Sequence, residues 1–121
     1  MTIEVINLDD KFSRFDEPWH PYIVAELNGQ QVKLAKLEGE FVWHAHAEED
    51  EMFLVVDGRL TIELRDGKVE LAGGELCVIP RGVEHRPVAH GLACVLLFEP
   101  ATTKHTGEIE SDRTVHDPGW I

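Results

Sequence analysis

The chain has 121 residues, about one domain's worth, so a second catalytic domain is not expected. Its hydrophobic content of 43% is enough for a buried core without disulfide staples. Eleven Lys and Arg stand against 23 Asp and Glu, a formal charge of -12, so the surface on average repels phosphate backbones and anionic lipid. Neither nucleic acid nor a membrane is expected as a partner.

No apolar run approaches the roughly 20 residues needed to span a bilayer, and the start Met1-Thr2-Ile3-Glu4 lacks the basic-then-apolar layout of a secretory signal. The expected address is the cytoplasm. Residues 1–20 read as an arm: a strand is expected over residues 3–8, followed by a mixed segment ending in Pro18-Trp19-His20-Pro21, where two prolines favour an extended loop. Residues 21–100 are dominated by short extended runs broken at turn dipeptides. Asn28-Gly29 separates the runs 22–27 and 31–37, and that pair tolerates the positive φ values of a tight type I′ hairpin. Further runs are expected at 41–46 and 52–56. Between Asp57-Gly58 and Asp66-Gly67, the run 59–65 alternates Leu60, Ile62 and Leu64 with Thr61, Glu63 and Arg65, as a strand with one wet face does. The runs 76–79, 86–88 and 94–98 complete the set.

Cys77 and Cys94 lie inside apolar runs without CxxC spacing and read as small buried hydrophobes. Eight or more short strands leave too many edges for an open sheet, so an all-β closed or sandwiched barrel is expected. Residues 101–121 read as a tail whose Trp120-Ile121 is apolar enough to dock on the barrel or on a partner subunit.

Four of the seven histidines, His20, His90, His105 and His116, are isolated. His44 and His46 stand at i and i+2, so on a strand both imidazoles project from one face with Cα atoms roughly 6.6 Å apart. Glu51 follows five residues later, a spacing that on an unbroken strand puts it on the other face. The segment Ala47-Glu48-Glu49-Asp50 is therefore expected to turn, so that Glu51 opens the next strand facing the histidines, with Phe53 and Val55 continuing inward. Two imidazoles beside one carboxylate suit Fe, Mn, Ni, Zn or Co and can leave coordination positions open. Glu48, Glu49 and Asp50 are read as solvated turn residues. Downstream, Pro80-Arg81-Gly82 turns the chain sharply and aims His85 inward.

These residues resemble the motifs of the cupin family. Gly39, His44, His46, Glu51 and Gly58 resemble its first motif, G-x5-H-x-H-x3/4-E-x6-G, and Gly74, Pro80, Gly82 and His85 resemble its second, G-x5-P-x-G-x2-H-x3-N. Two positions depart: four residues rather than five separate Gly39 from His44, and Ala89 stands where the family has Asn. The resemblance implies a single-domain jelly-roll β-barrel, the double-stranded β-helix, with one divalent transition metal held by His44, His46, Glu51 and His85. Three activities are compatible with it: an oxygenase acting on a small organic substrate, a sugar or sugar-phosphate isomerase, or a binding module that holds metal and ligand without turnover. The catalytic acid or base is not assigned; His90 is the best spare group and Tyr22 a distant second. A phosphorylated substrate needs convergent cations, and near the motifs only Arg59, Arg65, Arg81, Arg86, Lys33 and Lys36 are on offer. Phe41, Trp43, Phe53 and Phe98 read as core or interface, and Arg81 as one half of a salt bridge. An exposed N-terminal strand pairing with a partner makes a homodimer the expected assembly.

Overall fold

Runs in which every second residue is apolar fold here into seven strands; the computed structural model describes residues 1–103 and 118–121. The strands are β1 (Tyr22–Leu27), β2 (Gln30–Glu40), β3 (Glu51–Asp57), β4 (Arg59–Leu64), β5 (Gly67–Ala72), β6 (Leu76–Ile79) and β7 (His85–Pro100). All pairings between them are antiparallel, in the order β1-β2-β7-β3-β6, with β4 joining β5 to β7. The spine is β7. Its C-terminal half lies between β2 and β3 and its N-terminal half between β2 and β4. At the shift between Glu38 and Gly39 the partner on β7 jumps from Leu92 to Ala89. A bulge of this kind bends a strand and adds twist, and the sheet curls into an antiparallel barrel.

The hairpin chemistry is as expected: Asn28 and Gly29 have φ of 52° and 79°, and the register closes from Leu27 to Gln30 across them. Gly58, at φ 98°, answers a different need. A Cβ there would stand 2.7 Å from the Leu92 carbonyl oxygen and 2.9 Å from Ala93 Cα, so the β3–β4 turn can cross β7 only without a side chain.

Four expectations are corrected. Residues 1–7 form no strand, and a short helix, α1 (Leu8–Phe12), follows them. The cause is local: the Asn7 side chain accepts the Asp10 N–H at 2.9 Å as an N-cap, and Asp9 and Asp10 favour the positive end of a helix. Residues 41–46 form no regular strand; they follow the start of β7 through Phe41 N–H to the Pro87 carbonyl and a lone bridge between His44 and His85. The runs 86–88 and 94–98 are parts of one 16-residue strand. An unexpected strand, β5, follows Asp66-Gly67, where Val69 and Leu71 alternate with Lys68 and Glu70.

The barrel interior packs Leu37, Phe41, Phe53, Val55, Leu60, Ile62, Leu71, Ile79, Val95 and Leu97. Val55, Leu60, Ile62 and Val95 are at most 1% exposed, and each such side chain contributes about 1.5–3 kcal/mol by leaving water. Ala89 joins this core where the family has Asn. A second cluster, Phe12, Phe15, Val24 and Leu34, seals α1 against the barrel. The chain end docks on its own barrel: Ile23 N–H donates to the Gly119 carbonyl (2.9 Å), Ile121 N–H to the Ile23 carbonyl (3.1 Å) and Lys11 Nζ to the Ile121 carbonyl (2.7 Å). Ile121 joins the second cluster, whereas the Trp120 side chain stays 58% exposed. His105 and His116 lie outside the described residues. No helix among the described residues is long and apolar enough to cross a membrane.

Candidate metal centre

Backbone hydrogen bonds bring the two motifs together before any side chain is considered. His44 N–H donates to the His85 carbonyl at 3.0 Å and His85 N–H to the His44 carbonyl at 2.9 Å. Gly82 N–H donates to the His46 carbonyl at 2.7 Å. Asp50 accepts the Arg81 N–H at 2.9 Å and pairs with the Arg81 guanidinium at 3.4 Å, so the acidic turn ties the motifs rather than merely facing water. Those hydrogen bonds, the backbone N–H first, hold the Asp50 carboxyl below its ordinary range. Glu51 then opens β3 opposite Ile79, with Phe53 and Val55 on the same buried face, as the turn at 47–50 requires.

His44, His46, Glu51 and His85 are each at most 3% exposed, and one ligand atom from each lies within 4.8 Å of the others. All four motif side chains are thus brought together. Ring centroids stand 4.3 Å apart for His44 and His85, and 5.1 Å for His44 and His46. Their tautomers follow from hydrogen bonding. The Nδ1 atoms of His44 and His85 lie 2.9 Å from the carbonyls of Val42 and Val83, and a carbonyl can only accept. Each Nδ1 therefore carries the proton and each Nε2 presents a lone pair. Both Nε2 atoms are buried without a hydrogen-bond partner; His85 Nε2 is 3.4 Å from Glu51 Oε1 but not in bonding geometry. A buried polar atom left so costs about 1–3 kcal/mol, and a cation at the shared focus removes the penalty for both.

The protonation states agree with ligation. Burial, then the neighbouring His85, lowers the His44 pKa to about 4, so the ring is neutral near pH 7. Burial alone would raise the Glu51 pKa, but the contacts with Glu99, His46 and His85 outweigh it and hold the carboxyl well below its usual range. Three imidazole nitrogens and a carboxylate oxygen could hold one divalent transition metal of the Fe, Mn, Co, Ni or Zn group.

Behind Glu51 lies a pair that sequence reasoning did not assign to the site. Glu99 (0% exposed) and Lys33 (2%) form a buried pair in which Lys33 Nζ donates to Glu99 Oε1 at 3.0 Å and to the Thr103 carbonyl at 3.3 Å. Burial and the Glu51 charge push the Glu99 carboxyl well above its usual range. No N–H or O–H donor reaches Glu99 Oε2, and the Glu51 carboxylate is a neighbour of this side chain. A proton on Glu99, donated to Glu51, satisfies both acids. The extended register shows how they meet: Met52 pairs with Phe98 across β3 and β7, which places Glu51 and Glu99 next in line.

An apolar chamber opens on His44 and Glu51, and its other walls are Trp19, Pro21, Ala35, Leu37, Phe41, Phe53, Pro87 and Leu97. Trp19 and Phe41 stack at 4.5 Å with ring planes 10° apart, and the Phe41 ring meets His44 edge-on at 5.6 Å. Sequence reading placed Trp19 only in a loop; the signal for a wall residue was a Trp held between Pro18 and Pro21. The spare acid or base candidates lie elsewhere. His90 bonds Thr61 at 2.7 Å in a separate polar groove with Arg59, Glu70 and Glu75, and Tyr22 packs between Phe15 and His20.

Residues 30–98 match the cupin_2 family, described as cupin domain. The Bacillus subtilis (strain 168) protein YdbB is 36% identical over 66 residues, 54% of this chain and 58% of the relative, so the alignment takes in little more than half of that protein. A cupin-2 domain containing protein from Shewanella frigidimarina NCIMB 400 is 51% identical with a TM-score of 0.78, over 79% of this chain and 94% of that one. Protein NMB1881 from Neisseria meningitidis is 32% identical with a TM-score of 0.74, over 81% and 100% of the two chains. With both motifs on one barrel and the family match spanning more than half its length, the chain belongs to the cupin_2 family.

Proposed function

We propose that the chain is a metal-dependent enzyme of the oxygenase type, acting on a small organic molecule with a divalent metal held by His44, His46, Glu51 and His85. The observation that carries this reading is the chamber: an apolar space whose titratable walls, among the described residues, are two of the four converging side chains. A bound divalent ion supplies Lewis acidity there and, if it is Fe(II), an electron for dioxygen. The chain's own contribution is positional. Val42 and Val83 fix two imidazoles, Glu99 fixes Glu51, and the apolar walls keep water from competing for the site.

A sugar-phosphate isomerase finds little support, because none of the cations near the motifs lines the chamber: Lys33 pairs with Glu99, Arg65 with Glu84, Arg81 with Asp50 and Arg86 with Glu63, Lys36 donates to the Phe15 carbonyl, and Arg59 lies in the separate polar groove. A binding module without turnover is favoured by one observation, that the chamber walls hold no acid or base besides His44 and Glu51. Oxygen-electrode screening of the Fe(II)-loaded protein with phenols, catechols and enediols separates these readings. The oxygenase reading expects substrate-dependent oxygen uptake; ligand retention without uptake supports the binding module, and aldose–ketose interconversion under argon supports the isomerase.

We also propose a homodimer in the cytoplasm. Met1, Ile3 and Val5 are 83% exposed or more, and β6, which presents Leu76 and Val78 outward, pairs among the described residues only with β3. Apolar side chains so placed are suited to a second copy. A reducing compartment suits Cys77 and Cys94, which are unpaired thiols whose pKa values burial raises.

A further inference from the structure

The lining of the chamber restricts what can occupy it. We infer that it takes a small, planar ligand with a single oxygen donor on an otherwise uncharged body, a phenol or enol in chemical class, and that Trp19 is the residue that selects it; the inference rests on the metal-dependent reading above. An ionic group carried away from the metal would lose its hydration and meet no Lys or Arg on the described walls. A polyol would bring several hydroxyls, yet only His44 and Glu51 are polar there. One oxygen aimed at the histidine and carboxylate cluster, on an otherwise apolar body, satisfies the walls completely.

Planarity comes from the stack. Trp19 and Phe41 lie nearly parallel and Phe41 presents its edge to His44, so a flat ring entering beside them extends an existing aromatic array. Size identifies Trp19 as the selecting wall. The cavity volume is about 30 Å³, whereas one water needs roughly 10–15 Å³, so a six-membered ring enters only if a wall yields. Ala35, Leu37, Phe53, Pro87 and Leu97 belong to barrel strands, Pro21 directly precedes β1, and Phe41 is tied to β7 by its N–H to the Pro87 carbonyl (2.9 Å). Trp19 belongs to the arm and has φ of 65°, a left-handed conformation that a bulky residue rarely holds. Its N–H donates to the Lys36 carbonyl (2.8 Å) and its indole Nε1 to the Glu38 carbonyl (2.9 Å), so it is docked on β2 rather than woven into the sheet.

The test is binding rather than turnover. In a W43F/W120F background Trp19 is the sole tryptophan, and Co(II) loading adds visible bands that report the metal environment. Phenol is expected to change the Trp19 emission and the Co(II) bands with one midpoint, while glucose 6-phosphate and erythritol at equal concentration change neither. The parent is expected to discriminate against 2-naphthol relative to phenol by at least tenfold, and Trp19→Ala to abolish that discrimination. Trp19→Phe, which keeps the stack, should retain it even if the alanine variant folds poorly. Bands moved by glucose 6-phosphate but not by phenol would overturn the ligand class. A phenol-to-naphthol ratio unchanged in a folded Trp19→Ala protein would overturn the role of Trp19. Failure of Co(II) to bind would instead refute the metal reading, and the Trp19 emission would still decide the ligand class.

Discussion

Two imidazoles whose protons are pinned to backbone carbonyls have no freedom to hide their lone pairs, and this suits His44 and His85 to the ligand role proposed for them. His44, His46 and Glu51 were legible together because their spacing is short and local, and His85 joined them through the resemblance of residues 74–85 to a second motif. Lys33 and Glu99 were not, because 66 residues separate them and only the β2–β7 pairing brings them together. Their buried pair carries its own prediction. Lys33→Met removes the cation beside two acids, Glu99 and its neighbour Glu51, that remain without solvent. It is expected to destabilise the metal-free protein by about 3–5 kcal/mol, read from the urea midpoint. A change below about 1 kcal/mol would mean that the ammonium does not compensate the acids.

At the scale of elements, alternation and turn dipeptides marked the barrel strands, and the hairpin at Asn28-Gly29 formed as its residue types require. The reading failed where tertiary pairing overrides a local pattern. The apolar alternation at Ile3 and Val5 yields to the Asn7 cap, and residues 41–46 cannot keep a ladder because their partners on the β7 side run irregularly, Phe41 with Pro87 but His44 with His85. The long β7 was read as two runs because His90, Gly91 and the register shift near its middle interrupt the apolar signal. Gly58 joins element to site, since its turn lets β3, which carries Glu51, cross β7 closely. Gly58→Ala is expected to lower stability by about 1–3 kcal/mol in thermal unfolding, because the atoms in its way are backbone. Unchanged stability would show that the β3–β4 turn can move aside.

For the molecule as a whole, a formal charge of -12 and an apolar chamber act together: the surface disfavours anions, and the chamber walls offer no Lys or Arg to an ionic group held away from the metal. The fold class and the four motif residues followed from the sequence, but the ligand class did not, because chamber walls are assembled from the arm, β2, β3 and β7. The exposed N-terminal apolar residues and the β6 edge predict a light-scattering mass near twice 13.7 kDa; a mass near 13.7 kDa would reject the dimer. The most direct test of the central claim is elemental analysis of protein purified without chelating resin, alongside His46→Ala with its fold checked by circular dichroism. The expected result is about one divalent transition ion per chain in the parent and almost none in the folded variant. Metal absent from both, with none taken up on reconstitution, would contradict the account.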